Sequence, residues 1–410
     1  MRSPSRSLFA FTALLLLTLA ALPQGASAQS FAVLQDFNYT NGRRPLTPPI
    51  LASDGNLYGA TLKGGAHPSG VIYKLTPQGE LTAFYTFCSH PSCVDGSSPE
   101  FGPTQGKDGN LYGTTSTGGA NNLGMVYKLT LSGELTVLHS FCLCAEGWYP
   151  NSLVEDGKGG FYGSTLEAGS HQYGTIFHLT GQGQLTTLYN FCDSQPGCIS
   201  AYSNDGEPQP LILGADGNIY GVTDTGGHSY FLCSVGGCGT VFEITPQGEF
   251  SIIYNFCSLA HCADGAQPLW LVQGVDGNFY GTTSLGGSGI TGGGTVFQLT
   301  ASGVLSTLHS FSTAMGNSGY APYDLIQGTN GVLYGITSFG GNEAEQCQNL
   351  GCGSVFSVTT SGAFESLHDF DVTDGYVPAG IVQTSDTTLT GTTSYGGAHK
   401  DGVIFSLNFN

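Results

Sequence analysis

Three features of the sequence predict an all-β fold, a seven-bladed β-propeller of four-stranded blades forming one domain over residues 29–410. A glycine-rich motif recurs seven times at a period of 50 to 60 residues, its last copy stops one strand short, and the segment after an N-terminal leader matches that missing strand. Composition agrees: the chain holds 64 Gly, about twice the ~7 per cent average, with only 10 per cent charged residues. A chain poor in Glu, Lys and Ala and rich in Gly, Thr, Tyr and Phe does not favour helix.

The leader comes first. Arg2 and Arg6 precede an apolar run from Leu8 to Leu22 that ends in Ala26-Ser27-Ala28, the layout of a secretory signal peptide over residues 1–28. The run is shorter than the ~20 residues a membrane-spanning helix needs. The mature chain is therefore expected to be secreted, extracellular or periplasmic, to be monomeric, and not to insert in a membrane. Removing Arg2 and Arg6 takes the formal charge from −19 to −21. So acidic a chain lacks the Lys and Arg for a phosphate-tracking groove, which excludes nucleic acid as a partner and leaves neutral sugars, cations and proteins.

Within each repeat, strand a follows a proline (Pro99, Pro150, Pro210, Pro268, Pro322, Pro378). An Asp-Gly pair then makes a tight turn, read as type I′ because Gly tolerates positive φ. Strand b is the Leu-Tyr-Gly-Thr element of the run Asp108-Gly-Asn-Leu-Tyr-Gly-Thr-Thr-Ser-Thr-Gly-Gly119, which recurs at Asp54–Gly65, Asp216–Gly227 and Asp276–Gly287, with weaker copies at 156–169, 330–341 and 386–397. Strand c is Gly-x-Val-Tyr/Phe-x-Leu-Thr, as in Gly124–Thr130, and strand d is Gly-Glu-Leu-Thr-x-Leu-His-Ser-Phe, as in Gly133–Phe141. The last repeat ends after strand c at Gly402–Leu407, and Phe31–Phe37 reads as a fourth strand with no a, b or c before it. Pairing the two closes the ring and leaves no open sheet edge.

These runs resemble the GloVer (Gloeo/Verruco) tandem repeat of exported bacterial proteins, over nearly the whole mature chain. The resemblance implies the repeat fold and supplies no catalytic residues. Members of that family often carry a C-terminal sorting anchor, which this sequence is expected to lack. The Gly-Gly after strand b is also similar to kelch blades, without their downstream Tyr and Trp.

The a-b and c-d turns are short and uniform, while the d-a and b-c loops vary, so one face carries the variation. All twelve cysteines fall there: Cys88/Cys93, Cys142/Cys144, Cys192/Cys198 and Cys257/Cys262 after strand d, and Cys233/Cys238 and Cys347/Cys352 between b and c. Export and close spacing favour six local disulfides that stiffen the face, although spacing leaves open whether Cys142 and Cys144 pair with each other. Thiolate-bound metal is not expected, although adjacent loops could bring two pairs together.

The same face holds acid-Gly elements at Asp95, Glu146, Asp205, Asp264 and Asp374. They admit two readings: a carboxylate ring at the channel mouth, suited to calcium or to glycoside chemistry, or side chains bonding their own turns. The second is preferred, because Asn41 and Ser318 occupy the same place in other blades. No cofactor is required on this reading, and calcium is the cation such a ring would take. Aromatic side chains also gather there: Trp148, Tyr149, Tyr173, Tyr202, Tyr230, Trp270, Tyr320, Tyr323 and Tyr376. Rings with one polar tip suit sugar stacking or a protein interface. The strand b tyrosines (Tyr58, Tyr112, Tyr162, Tyr220, Tyr280, Tyr334) repeat and so belong to packing between blades. His139, His309 and His368 take a strand d position that is Tyr elsewhere, whereas His67, His90, His171, His228, His261 and His399 lie in the long loops.

Gly287-Ser-Gly-Ile-Thr-Gly292 fits G-x-G-x-x-G by letters but precedes a strand, so it cannot present a helix N-terminus to a pyrophosphate. Nucleophile-elbow, zinc-protease and Walker motifs are absent from the sequence. The expectation is an exported, non-catalytic propeller that recognises a glycan or an envelope protein. The alternatives are a polysaccharide hydrolase or lyase and a structural envelope protein.

Overall fold

The computed structural model describes residues 29–171, 173–191, 210–227, 233, 237–287, 292–313, 319–341, 347 and 350–409. They form seven antiparallel four-stranded sheets, each ordered a-b-c-d. Blade 1 comprises Ile50–Leu51, Leu57–Thr61, Val71–Leu75 and Leu81–Thr86; blade 2, Thr104–Gln105, Leu111–Thr115, Met125–Leu129 and Leu135–Ser140. Blade 3 comprises Trp148–Glu155, Phe161–Glu167, Thr175–Leu179 and Leu185–Asn190; blade 4, Ile212–Leu213, Ile219–Thr223, Thr240–Ile244 and Phe250–Asn255. Blade 5 comprises Ala266–Gln273, Phe279–Leu285, Gly292–Leu299 and Leu305–Ser312; blade 6, Tyr320–Gln327, Leu333–Phe339, Ser354–Val358 and Phe364–Asp369. Blade 7 takes Tyr376–Ser385, Thr388–Tyr395 and Val403–Asn408 from the end of the chain and Ser30–Asp36 from its start.

That closure has the expected register. Ser30 pairs with Asn408, Phe31 with Leu407 and Asp36 with Val403. Phe31 also stacks on His368 of blade 6 at 3.7 Å between ring centres, so the N-terminal strand reaches the neighbouring blade as well as its own. Strands a of neighbouring blades touch one another around the ring, which places them about the central axis and strands d outermost.

Burial follows from this layout. Strand b is buried along its length in blades 1, 2 and 4 and over all but its ends in the others, and strand c nearly so, because each blade has a neighbour on both faces, whereas strand d is half exposed. The core is accordingly divided into seven clusters, one at each junction. Tyr58 packs with Leu111 and Tyr127, Tyr112 with Phe161, Tyr162 with Ile219, Tyr220 with Phe279, Tyr280 with Leu333, and Tyr334 with Leu389 and Phe405. The strand b tyrosines thus pack between blades. At the closing junction Thr390 replaces Tyr, and Phe37, Leu57, Tyr73 and Ile404 fill the space. Glycine in mid-strand b makes room for the aromatic residue of strand c in the same blade: a Cβ on Gly281 would lie 2.4 Å from Phe297 Cζ.

Two local expectations are corrected. In blades 3, 5, 6 and 7 strand a begins two residues before its proline, so Pro150, Pro268, Pro322 and Pro378 lie inside the strand, each followed by a register shift. This is tolerated because strand a is the inner edge of the sheet and its missing N–H has no ladder partner to lose. The a-b turn is also not type I′, which needs positive φ at both central residues. In the first turn only Gly55 is positive, at 80°, and Gly55 N donates to Ala52 O while Ala52 N donates to Asn56 O, the pattern of a type I turn closed by a glycine bulge.

Candidate functional site

At the end of the ring bearing the tight turns, Asp54, Asp108, Asp216 and Asp276 each accept from the Asn two residues on and from the Tyr hydroxyl four residues on, the latter at 2.7–2.9 Å. Partial burial opposes ionisation of these four groups, but the donated hydrogen bonds prevail and hold every one below the usual carboxylate range. The Asp-Gly-Asn-x-Tyr motif is therefore one self-contained turn network, and this end presents the same surface in most blades.

The opposite end carries the long loops. Five disulfides staple it: Cys88–Cys93, Cys142–Cys144, Cys233–Cys238, Cys257–Cys262 and Cys347–Cys352. Cys142 and Cys144 are thus partners. Cys192, Cys198, Tyr202, Asp205 and Tyr230 lie outside the described residues. In blade 4 the two loops meet, and Cys233 Sγ lies 3.7 Å from Cys257 Sγ. The groups of three or more candidate ligands that converge among the described residues are these four blade 4 cysteines and Cys142/Cys144/Glu146, neither with a histidine. With the sulfurs paired, neither group offers the thiolates a soft metal needs.

The acid-Gly residues bond within their own loops. Asp95 accepts from Tyr85 Oη at 3.0 Å and from the Ser89 and His90 amides; Asp264 accepts from Tyr254 Oη at 2.8 Å and from the Ser258 and Leu259 amides. They are 3% and 0% exposed. Burial first, with the neighbouring carboxylate second, pushes the Tyr85 and Tyr254 phenols far above their ordinary range, so they stay donors. In blades 2 and 6 histidine takes the tyrosine's place: His139 Nε2 meets Glu146, and His368 Nε2 meets Asp374 at 2.9 Å. The strand d Tyr/His position and the loop acid are one bonded pair, which sequence reading treated as two unrelated sets. Its signal is faint, because the partners are ten residues apart in blades 1 and 4 but seven and six apart in blades 2 and 6.

Beyond these pairs, the backbone of the loop end repeats and joins blades. Among the described residues, the one before Pro45 and before each strand a proline has positive φ: Arg44, Ser98, Tyr149, Gln267, Ala321 and Val377, at 52–59°. Such values are costly for non-glycine residues, above all β-branched Val377. The N–H of this residue donates to the b-c loop of the preceding blade, as from Gln267 to Cys238 O at 2.8 Å and Val377 to Cys352 O at 3.0 Å. The proline lies over the glycine that opens strand c of that blade: a Cβ on Gly239 would stand 2.4 Å from Pro268 Cδ.

Just inside this clamp, the residue two before the proline faces a residue at or just past the end of strand b, as the first and last strand residues in blades 3, 5, 6 and 7 and as isolated bridges ahead of strand a in blades 1 and 2. The facing pairs are Arg43/Lys63, Ser97/Thr117, Trp148/Glu167, Ala266/Leu285, Tyr320/Phe339 and Tyr376/Tyr395. Trp148 Nε1 donates to Glu167 at 2.8 Å and its ring stands edge-on to Tyr149; Tyr376 stacks on Tyr395 at 5.3 Å, and Tyr320 lies tilted against Phe339 at 5.4 Å. Other predicted aromatics scatter. Trp270 lies in strand a against Tyr323, which is 5% exposed and belongs to the core, while Tyr173 is 44% exposed on the outer loop of blade 3. Arg43, Arg44, Lys63, Phe339 and Tyr395 were missed, although aligning Pro45 with the strand a prolines would have put Arg43 in register with Trp148, Tyr320 and Tyr376 and Arg44 in register with Tyr149.

The Gloeobacter/Verrucomicrobia repeat matches residues 24–230 and 207–410. No curated protein matches the chain in sequence. Among solved structures, a catalytically inactive virginiamycin B lyase from Staphylococcus aureus with quinupristin gives a TM-score of 0.61 at 15% identity, over 93% of this chain and 100% of that one. A streptogramin B lyase gives 0.59 at 16%, over 93% and 98%. The extracellular domain of a hybrid two-component system from B. thetaiotaomicron gives 0.54 at 11%, over 92% and 41%. At such identities the likeness is one of fold.

Proposed function

The chain belongs to the Gloeobacter/Verrucomicrobia repeat family, and on that premise we propose that it is an exported, non-catalytic binding propeller whose stapled loop end recognises a glycan or another envelope protein. One observation carries this reading. Each described loop acid at the acid-Gly positions (Asp95, Glu146, Asp264, Asp374) is held by a Tyr or His of its own blade, so the carboxylates serve the rigidity of the loops. A hydrolase would instead want two carboxyls facing one substrate about 5–10 Å apart. Five disulfides fit an oxidising compartment, and no described helix is long and apolar enough to cross a membrane.

Half-buried aromatic rings around the channel mouth favour the glycan. The test is a glycan-array screen of the protein lacking residues 1–28, with and without calcium. Binding to a defined saccharide class, unchanged on chelating calcium, is the expected result. Silence on every glycan would transfer the reading to a protein partner, and release of shortened saccharide would replace it by catalysis.

A further inference from the structure

We propose that the arc of the channel mouth formed by blades 6, 7 and 1 is a site for an acidic saccharide, one whose pyranose ring carries a carboxylate. This deepens the glycan reading above and rests on it. The arc has two halves. Tyr320/Phe339, tilted at 31°, and Tyr376/Tyr395, stacked, supply aromatic pairs in adjacent blades, and Arg43, Arg44 and Lys63 supply cations in the next. The halves abut where the Arg44 guanidinium stands 5.5 Å from the centre of the Tyr395 ring.

Charge is concentrated there against the trend of the whole chain. Ten Lys and Arg less the two in the leader leave eight, and four of them (Arg43, Arg44, Lys63, Lys400) lie in the loops of the blade 7 to blade 1 junction. Arg43 pairs with Asp401 at 2.8 Å and is thereby fixed. Arg44 and Lys63 are exposed and make no ion pair among the described residues. Both act on Glu100, whose carboxyl burial pushes up against their pull. At physiological ionic strength charges beyond ~8 Å are largely screened, so a ligand at this arc meets the local cations rather than the acidic remainder of the surface.

The chemistry of the ligand follows from the parts. A guanidinium fork and a nearby ammonium suit one carboxylate, while tyrosine rings suit the C–H face of a pyranose. A neutral sugar would leave both cations without an anion, and a polyphosphate would need a longer basic track than four residues provide.

The experiment titrates the mature protein with oligogalacturonide and with a neutral galactose oligomer of equal length, at low and high salt. The variants are Arg44→Gln with Lys63→Gln, and Lys107→Gln with Lys158→Gln, the second making the same charge change in turns at the opposite end. Oligogalacturonide is expected to bind, to bind at least about tenfold more weakly to the first variant, to lose affinity with salt, and to bind the second variant unchanged, with near-ultraviolet circular dichroism confirming that each is folded. Equal loss in both variants would overturn the site by showing a diffuse charge effect. Neutral oligomer bound as tightly as acidic, with the first variant unaffected, would overturn the acidic specificity and leave the glycan reading standing. No binding of either saccharide would overturn the acidic site, while the glycan reading would still stand or fall on the array.

Discussion

The two ends of the ring are built from the same seven repeats and differ in what the repetition preserves. At the turn end the residues themselves recur: Asp54, Asp108, Asp216 and Asp276 each bind the same Asn and the same Tyr. At the loop end the backbone recurs, with proline over glycine and a positive-φ residue bonding the preceding blade, while side chains at one position pass from Arg43 to Ser97, Trp148 and Tyr376. Recurring identity marks what the fold requires. A recurring backbone with changing side chains marks a surface on which specificity can vary without disturbing the fold.

The largest effect that could break this comparison comes from the shared backbone of the loop end. Gly239→Ala places a Cβ 2.4 Å from Pro268 Cδ and from Thr223 O at φ +92°. Backbone strain and overpacking each cost ~1–3 kcal/mol, so a loss of about 4 kcal/mol is expected in urea unfolding. A loss below about 1 kcal/mol would show that the clamp is not what the fold requires.

Next in size is a carboxyl between the two ends. Asp324, fully buried in strand a of blade 6, accepts from Ile381 N at 2.7 Å through Oδ2, while Oδ1 finds no hydrogen-bond partner among the described residues. Burial pushes it up to about 7, above the ~3.9 of an unfolded chain. The folded state therefore holds a proton that the unfolded state has released, and stability falls as pH rises from about 4 to about 7, then levels. Asp324→Asn removes that dependence. Its stability relative to the parent is expected to improve by roughly 3–4 kcal/mol between pH 4 and pH 8, measured as denaturation midpoints, and a constant difference would refute the assignment.

The smallest effect sharpens the contrast from the turn end, where the sign reverses. Asp276 lies below its ordinary value, so its contribution is present above about pH 4 and is lost as pH falls through its folded value. Asp276→Ala is expected to cost about 1 kcal/mol at neutral pH and progressively less as the pH falls below about 4. A larger cost in acid would contradict the turn network.

Much of the fold was legible because its signal is local and repeated. The Asp-Gly-Asn-Leu-Tyr-Gly run fixes a turn and the start of strand b within six residues, and Phe37 stands where Phe87 and Phe141 stand, so the orphan strand identified itself. The start of strand a was not legible, because the residues that extend it past the proline share no type: Trp148, Ala266, Tyr320 and Tyr376 have only their place in common. The site was harder still. Arg44 and Tyr395 are neighbours across the closing junction, with nearly the whole chain between them in sequence. The pairing of Tyr85 with Asp95 and of His368 with Asp374 was hidden by loops of unequal length.

Closure has a consequence for the order in which the molecule is made. The strand that emerges first, Ser30–Asp36, finds its partner in Val403–Asn408, which emerges last. Until the last blade has been translated, Ser30–Asp36 presents bare backbone and Phe31 and Phe37 lack the partners that shield them in the closed ring. The ring therefore locks in one late event, and its early intermediates are the state in which the chain most needs an escort against self-association.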